Sequence, residues 1–399
     1  MSTPIVLDEV QRQAVHLIET APIGVITGGA GVGKTTVLKE AVPHLHSYEL
    51  CAPTGKAAQR MTEATGRPAR TIHRLLGWTP QGFRHGSGLQ QVPLDTDVVV
   101  VDEASMVDVR LGADLMSALD RHTRVIFVGD ANQLPPVGPG ALFRDLIASE
   151  RVPVVRLSRL YRASEGSWVY RNAPKVLVGG QLETRDGADF SWYRIGSGDA
   201  EHVGDVVLQI IREQVAAGTA LEQIQVITPM NVSVCGTGVI NPQLQVALNA
   251  RGVRGTGWKM RDDCTLFEGD RVMQTKNDYQ LDVFNGDVGV VDEVTPHELV
   301  VRFGLERRTY TRAQARNLML AYAATVHKSQ GAEFENVIVV CHSAHRRMLT
   351  RQLFYTAITR AKKRVFLVGD TDGLQIALAT TRAEARKTRL MQRIQDGYA

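Results

Sequence analysis

Ile23 to Leu38 reads IGVITGGAGVGKTTVL. An apolar run of β-formers (IGVIT) ends in a stretch, Gly28 to Thr35, that matches G-x-x-x-x-G-K-[ST], and a helix-forming segment (TTVLKEAV) follows. A strand, a glycine-rich turn and a helix in that order form a cradle for phosphate. Glycines let backbone N–H groups wrap the anion, and the helix N-terminus adds the positive end of its dipole. Gly28, Gly29, Ala30, Gly31, Val32, Gly33, Lys34, Thr35 and Thr36 are therefore the candidate phosphate-binding residues. Lys34 is expected to reach the β- and γ-phosphates of a nucleotide and the Thr35 hydroxyl to ligate Mg²⁺. The same stretch sets the fold class, because this motif belongs at the C-terminal edge of a parallel sheet covered by helices.

The next buried strand supports that class. Asp97 to Ser105 reads DVVVVDEAS. Four valines bury a strand, and Asp102 emerges at its end, where a carboxylate can hold a metal. Glu103 beside it can orient and deprotonate a water. One acid at a strand end is an ordinary cap; two adjacent acids in a chain with a phosphate loop favour the chemical reading. A third run, RVIFVGDANQLPPV from Arg124 to Val137, ends in Gly-Asp and leads to Gln133 and a stiff Pro135-Pro136 pair. These parts specify a nucleoside triphosphate hydrolase and say nothing of what it acts on. Kinases, transporters and helicases share them.

The bulk numbers narrow the setting. The chain has 399 residues, 44% apolar and 22% charged, with a net charge of +4, the balance of a soluble globular protein of two or three domains. That charge leans mildly toward polyanions. Cys51, Cys235, Cys264 and Cys341 are far apart and form no CxxC pair, so neither structural zinc nor a disulfide framework is expected and a reducing cytoplasm fits. The N-terminus MSTPIVLDEV has no signal-peptide pattern, and no apolar run is long enough to span a bilayer.

Strands are expected at Ile23–Thr27, Glu49–Ala52, Asp97–Asp102, Arg124–Asp130 and Val154–Leu157, then again at Ile224–Thr228, Val337–Cys341 and Arg364–Val368. The interval Gly77–Leu94 (GWTPQGFRHGSGLQQVPL) breaks the rhythm and suits a protruding hairpin or loop. From Arg251 to Arg316 the texture changes to short alternating strands around Gly-Asp and Asn-Gly turns, as in a small inserted β-barrel. RVIFVGDANQL at Arg124 is echoed by RVFLVGDTDGL at Arg364. The echo is either coincidence or the trace of two related α/β domains, with Gly373 standing where the first has Gln133.

From Gln11 onward the chain resembles the superfamily 1 DNA helicases, and within them the RecD-like and Dda-like branch. The resemblance covers nearly the whole chain, with its segments in the family's order. LDEVQRQAV (Leu7–Val15) resembles the adenine-reading segment, with Gln11 as the bidentate amide. CAPTGKAAQRM (Cys51–Met61) and TIHRLLG (Thr71–Gly77) are similar to segments that grip single-stranded DNA, and GDANQLPPVGPG (Gly129–Gly140) to the third motif. LSRLYR (Leu157–Arg162), TVHKSQGAEF (Thr325–Phe334) and LFYTAITRAKKR (Leu353–Arg364) resemble the fourth, fifth and sixth.

The resemblance implies an α/β fold of two RecA-like P-loop domains with parallel sheets. The first, residues 1–155, carries a short hairpin insertion at about 77–94; the second is built from 156–250 and 317–399, with an SH3-like barrel inserted at 251–316. It implies that Gln133 faces the γ-phosphate, that Arg162 and Arg360 supply transition-state charge, and that Glu333 contacts the ribose. Pro53, Thr54, Lys56, Thr71, His73, Thr325 and His327 would hold DNA through hydroxyls, backbone amides and an occasional cation. His73 could equally be an ordinary buried histidine, and Trp78 and Phe83 are better read as packing than as base-stacking residues. The expected activity is ATP- and Mg²⁺-dependent DNA unwinding with 5′-to-3′ movement on single strands, by a cytoplasmic monomer acting on single-stranded, tailed or forked DNA. Two alternatives stand beside it: a translocase that strips proteins without unwinding, and a nucleotide-gated DNA-binding switch. The adenine segment begins within the first dozen residues, so the N-terminal domain of full-length RecD-like proteins is expected to be absent, and docking into a nuclease complex with it.

Overall fold

Val98–Val101 are fully buried, and they lie near the middle of a six-stranded sheet. Its order is Ala69–Thr71, Tyr48–Ala52, Val98–Val101, Arg124–Gly129, Ile23–Gly28, Val154–Leu157, every pair parallel. Side chains alternate between the faces as the pleat requires. Ile26, Val98, Val100 and Val128 pack with the helices Glu9–Thr20 and Lys34–Ala41. Val25, Val99, Val101 and Phe127 pack with Leu115, Leu142 and Leu146 on the other face. Both faces are covered, so these strands read as continuous apolar runs. Each buried valine contributes on the order of 1.5–3 kcal/mol.

The computed structural model describes residues 6–79, 81–86, 92–161, 167–185, 188–260, 264–381 and 388–397. The chain divides into two units, Met1–Glu165 with Ala383–Ala399, and Gly166–Arg382. The expected boundary after residue 155 falls inside the strand Val154–Leu157, which pairs with Ile23–Gly28 and so belongs wholly to the first unit. The terminal segment differs from expectation too. Helix Leu390–Gln395 packs on helix Leu142–Ala148, Leu390 and Ile394 join the core of the first unit, and the Thr388 hydroxyl donates to Asp145 at 2.7 Å.

In the stretch expected to form a hairpin, Thr79 and Gly82 close a short antiparallel bridge and His85 pairs with Val92 in parallel sense. Residues 80 and 87–91 lie outside the described residues. Phe83 packs against the core and sits 5.8 Å from the His73 ring, centroid to centroid.

The second unit holds a five-stranded parallel sheet, ordered Ala323–Thr325, Ile224–Thr228, Phe334–Cys341, Ala361–Gly369, Phe190–Arg194. Inserted in it are an antiparallel pair, Gly257–Lys259 with Thr265–Phe267, and a five-stranded antiparallel sheet from Arg271 to Leu320. Its last strand, Leu318–Leu320, lies just beyond the expected end of the insertion. The insertion is not a loose appendage. Trp258, Val272, Val301 and Tyr310 share one apolar core with Val207, Ile240 and Ile338 of the α/β part. At the junction the Asp270 carboxylate accepts bonds from Gln245, from Asn249 at 2.7 Å, from the Phe267 amide at 2.8 Å and from Tyr322 at 3.0 Å. Buried Arg271 donates to the Ile224 carbonyl at 2.7 Å and to Gln225 at 3.0 Å. A buried charge with every partner supplied fixes one arrangement of the parts around it.

Candidate functional site

The phosphate loop runs from the end of Ile23–Gly28 into helix Lys34–Ala41. Gly33 caps that helix with φ +86°, a conformation that L side chains adopt only under strain. The Lys34 ammonium donates to the Gly28 and Gly29 carbonyls, each at 2.7 Å. The charge is thus parked inside the loop, at the place a phosphate would draw it from. The first helix presents Gln11 to this loop through a reciprocal cap. Its backbone N–H donates to Asp8 at 2.8 Å, and its side-chain carbonyl accepts from the Asp8 backbone N–H at 3.2 Å.

Tyr161 completes this corner and was not singled out from sequence, although it lies in LSRLYR beside Arg162. Its backbone N–H donates to the Gly31 carbonyl at 3.1 Å and its hydroxyl donates to Asp8. That bond holds the Asp8 carboxyl below its ordinary range. Arg159 lies over the Tyr161 ring, 5.4 Å from its centroid. Arg162 itself lies outside the described residues.

Asp102 and Glu103 leave the end of the valine strand together. Desolvation, then the neighbouring Glu103, push the Asp102 carboxyl up to about 6; the Glu103 backbone N–H, donating at 2.8 Å, and the positive charges of Lys34 and Arg60 work against that rise. Glu103 adopts φ +50°, a left-handed conformation unusual for a residue with a side chain. It turns the carboxylate back toward Arg60, whose Nη1 is 3.8 Å from its Oε1. Arg60, on helix Gly55–Thr65, is a second residue that sequence reasoning did not single out.

Gln133 follows the strand Arg124–Gly129, which lies between the strands bearing the loop and the acid pair. It is buried, and its Oε1 has no hydrogen-bond partner among the described residues. Its backbone is held firmly: the N–H donates to Asp130 at 3.2 Å, and Arg144 donates to the carbonyls of Ala131 and Gln133, each at 3.0 Å. An unpaired buried amide oxygen on a braced backbone costs free energy. In the second unit the echoing position, Gly373 in helix Thr371–Ala379, has no room for such a side chain. Gly373 donates its N–H to Asp370 at 2.8 Å, and a Cβ there would meet the Cys341 carbonyl oxygen at 2.7 Å.

Of the residues expected to grip DNA, Thr54 and Thr71 spend their hydroxyls on helix caps, accepting from Ala57 at 3.3 Å and from Arg74 at 3.2 Å. Pro53 and Lys56 are half-buried beside Thr54 at the start of helix Gly55–Thr65. Burial lowers the pKa of His73, and its Nδ1 lacks a partner among the described residues. In the second unit, Thr325 ends a strand that pairs in register with Ile224–Thr228, and half-buried His327 lies in the turn beyond it. Arg360 and Glu333 come together there. The Arg360 guanidinium donates to the Ala332 and Thr356 carbonyls, each at 3.2 Å, and its own carbonyl accepts from Phe334 at 2.9 Å.

Among the described residues no group of three or more His, Cys, Asp and Glu could hold a metal ion, and no helix is long and apolar enough to cross a membrane.

Residues 11–139 match the AAA domain family, 240–303 the ATP-dependent RecD-like DNA helicase SH3 domain, and 320–368 the UvrD-like helicase C-terminal domain. The chain is 38% identical to the ATP-dependent RecD2 DNA helicase of Deinococcus radiodurans, over 97% of this chain and 52% of that protein. It is 32% identical to the RecBCD enzyme subunit RecD of Mycolicibacterium smegmatis, over 97% of this chain and 75% of that protein. It therefore spans about half the length of the first relative and three quarters of the second. A Bacteroides Pif1 helicase, solved in complex with ADP-AlF3 and single-stranded DNA, shares the fold with a TM-score of 0.60 at 19% identity, covering 99% of this chain and 98% of that one.

Proposed function

Because the chain belongs to the RecD-like family of superfamily 1 DNA helicases, we propose that it is an ATP-driven motor that moves 5′ to 3′ along single-stranded DNA and unwinds the duplex ahead of it. The observation that carries this reading is the unpaired Oε1 of Gln133 on a braced backbone, in the turn beyond the strand that lies between the phosphate loop and the acid pair. A hydrolase needs the loop and the acids. A motor needs in addition a group whose bonding changes when the γ-phosphate leaves, and that change must reach the nucleic acid. The stiff Pro135-Pro136 turn beyond Gln133 is suited to carry it.

In this reading Gln11 reads adenine and the loop from Gly28 to Thr36 wraps the phosphates, with Lys34 leaving the Gly28 and Gly29 carbonyls to meet them. Mg²⁺ would be held by Thr35 and Asp102, and would neutralise charge on the phosphates. Two hard oxygen donors suit an ion that keeps waters and phosphate oxygens as its other ligands. Glu103 takes the proton from the attacking water, Arg360 and Arg162 stabilise the transferring phosphoryl group, and Glu333 contacts the ribose. Thr54, Lys56, Thr71, His73, Thr325 and His327, with Pro53 shaping the turn, hold the strand without reading bases. Residues 77–94 act as the wedge at the fork. We place the protein in the cytoplasm as a monomer; Cys51, Cys235, Cys264 and Cys341 are all free thiols.

Strand displacement on matched duplexes with a 5′ or a 3′ tail tests the proposal. ATP-dependent release from the 5′-tailed substrate alone is expected. Release from the 3′-tailed substrate alone overturns the polarity. Streptavidin displacement without strand release identifies a translocase, and absence of DNA-stimulated phosphate release identifies a switch. A separate test of the wedge replaces residues 87–91 with a Gly-Ser turn and leaves Phe83 in the core. Unwinding should fall while DNA-stimulated hydrolysis persists.

A further inference from the structure

A groove of about 630 Å³ opens in the second unit beside helix Thr237–Leu248, within the ~300–1,000 Å³ range of small-ligand sites. None of the residues assigned above lines it. We propose that it receives one unstacked nucleotide of the bound single strand, with the base inside and the phosphate at the mouth; the inference rests on reading the chain as a single-strand DNA motor.

Three observations carry it. The first is place. Thr228 pairs in register with Thr325, the Val326 N–H donates to the Thr228 carbonyl at 3.1 Å, and the chain leaving Thr228 supplies Asn231 to the groove three residues on. One end of the groove, at Asn231 and Thr237, therefore lies at the C-terminal edge of the parallel sheet, the edge where ligands sit in such folds. Its wall touches the segment expected to hold DNA, because the Lys328 ammonium lies 2.8 Å from the Met319 sulfur.

The second is the lining. Met260 and Met319 present polarizable thioethers, which pack favourably against aromatic rings and adapt to rings of different outline. A motor that tolerates every sequence needs a slot of that kind rather than a shape-matched one. The third is the polar rim. The Thr237 hydroxyl donates to the Asn231 side-chain carbonyl, which fixes the amide so that Nδ2 remains as a donor for a base carbonyl. Arg316 is exposed at the same groove and makes no ion pair among the described residues. A guanidinium held there can meet one phosphate oxygen pair.

The chain carries its own probe of this site. Cys264 lines the groove, whereas Cys51, Cys235 and Cys341 are buried. Burial raises the Cys264 thiol as well, so labelling with a maleimide is best followed at mildly alkaline pH, with Cys264→Ala as the control that labelling reports this thiol. Oligothymidylate is expected to slow labelling on the order of tenfold, the scale of one stacked base. A strand of equal length with a run of abasic sites keeps every phosphate; it should bind and stimulate hydrolysis but leave Cys264 reactive. Met319→Trp should fill the slot and bring the affinity for oligothymidylate down to that for the abasic strand. Equal protection by both strands, or protection by neither while both bind, overturns the base pocket and leaves the motor reading intact. If neither strand binds by fluorescence anisotropy nor stimulates phosphate release, the motor reading fails and takes the pocket with it.

Discussion

The side chain of Gln11 occupies the space that a β-carbon on Gly33 would need: its Nε2 lies 2.4 Å from that position. The residue expected to read the base and the glycine that turns the phosphate loop are therefore sterically coupled. Gly33 also has φ +86°. Gly33→Ala should weaken binding of a fluorescent ATP analogue by on the order of 1–3 kcal/mol, the scale of such backbone strain, while circular dichroism stays native. Gln11→Ala removes part of the clash, so the double variant should lose less than the sum of the two single losses. Strict additivity would show that the two residues act independently.

Glu103→Gln keeps the size and most of the hydrogen bonding of the side chain but cannot accept the proton of the attacking water. Steady-state ATP hydrolysis should fall on the order of 10²–10⁴-fold, with ATP and DNA affinity retained. Activity within a few fold of the parent would assign the base elsewhere. Lys34→Ala should show the opposite split, with nucleotide affinity itself lost.

Asp102 offers a prediction about stability against pH. Its folded pKa, about 6, is raised above the ordinary 3.8. Between those values the unfolded chain ionises while the folded carboxyl keeps its proton, so this group lowers stability as pH rises through the window, and the loss is complete above it. Asp102→Asn should raise the melting temperature of the nucleotide-free protein at neutral pH and leave it unchanged below about pH 4. Hydrolysis should be lost at every pH. A melting temperature lowered at neutral pH would mean that the carboxylate is held by partners that favour its charge.

Gln133→Ala removes a buried oxygen that has no partner among the described residues. Thermal stability should hold or rise, basal hydrolysis should survive in part, and stimulation by single-stranded DNA should drop. Equal loss of basal and stimulated rates would remove its sensing role. Arg360→Ala should spare nucleotide binding and depress hydrolysis; arginine fingers contribute on the order of 10³–10⁵ in some nucleotide hydrolases. Arg360 also donates to the Ala332 carbonyl beside Glu333. Arg360→Lys, which keeps the charge but loses the planar fork, separates the two contributions.

Strands that are continuous apolar runs, such as Val98–Val101 and Arg124–Gly129, were legible because burial on both faces leaves no other composition open. Ala69–Thr71, Ala323–Thr325 and Phe190–Arg194 were not. The first two are only three residues long and the third is polar toward its end, so neighbouring strands rather than their own pattern hold them in the sheets. The positions of the glycine loop after Ile23–Gly28 and of the two acids after Val98–Val101 could be read from sequence, because their glycines and apolar runs stand at a fixed spacing. Tyr161 and Arg60 could not, since each acts on a partner far away in sequence; nor could Arg144, which reaches back from the next helix to the turn that carries Gln133. The terminal helix joins the first unit and not the expected second for the same reason: Leu390 and Ile394 mark an apolar face, and nothing local says which core receives it.

That helix has a consequence for the order of assembly. The core that Leu390 and Ile394 complete includes Val25 and Val99, so the first unit is sealed by a segment that is made only after the second. The whole of the second unit, Gly166–Arg382, is made in between. A nascent chain stalled before residue 388 would expose the face of helix Leu142–Ala148 that helix Leu390–Gln395 covers, leaving it open to chaperones until that helix emerges.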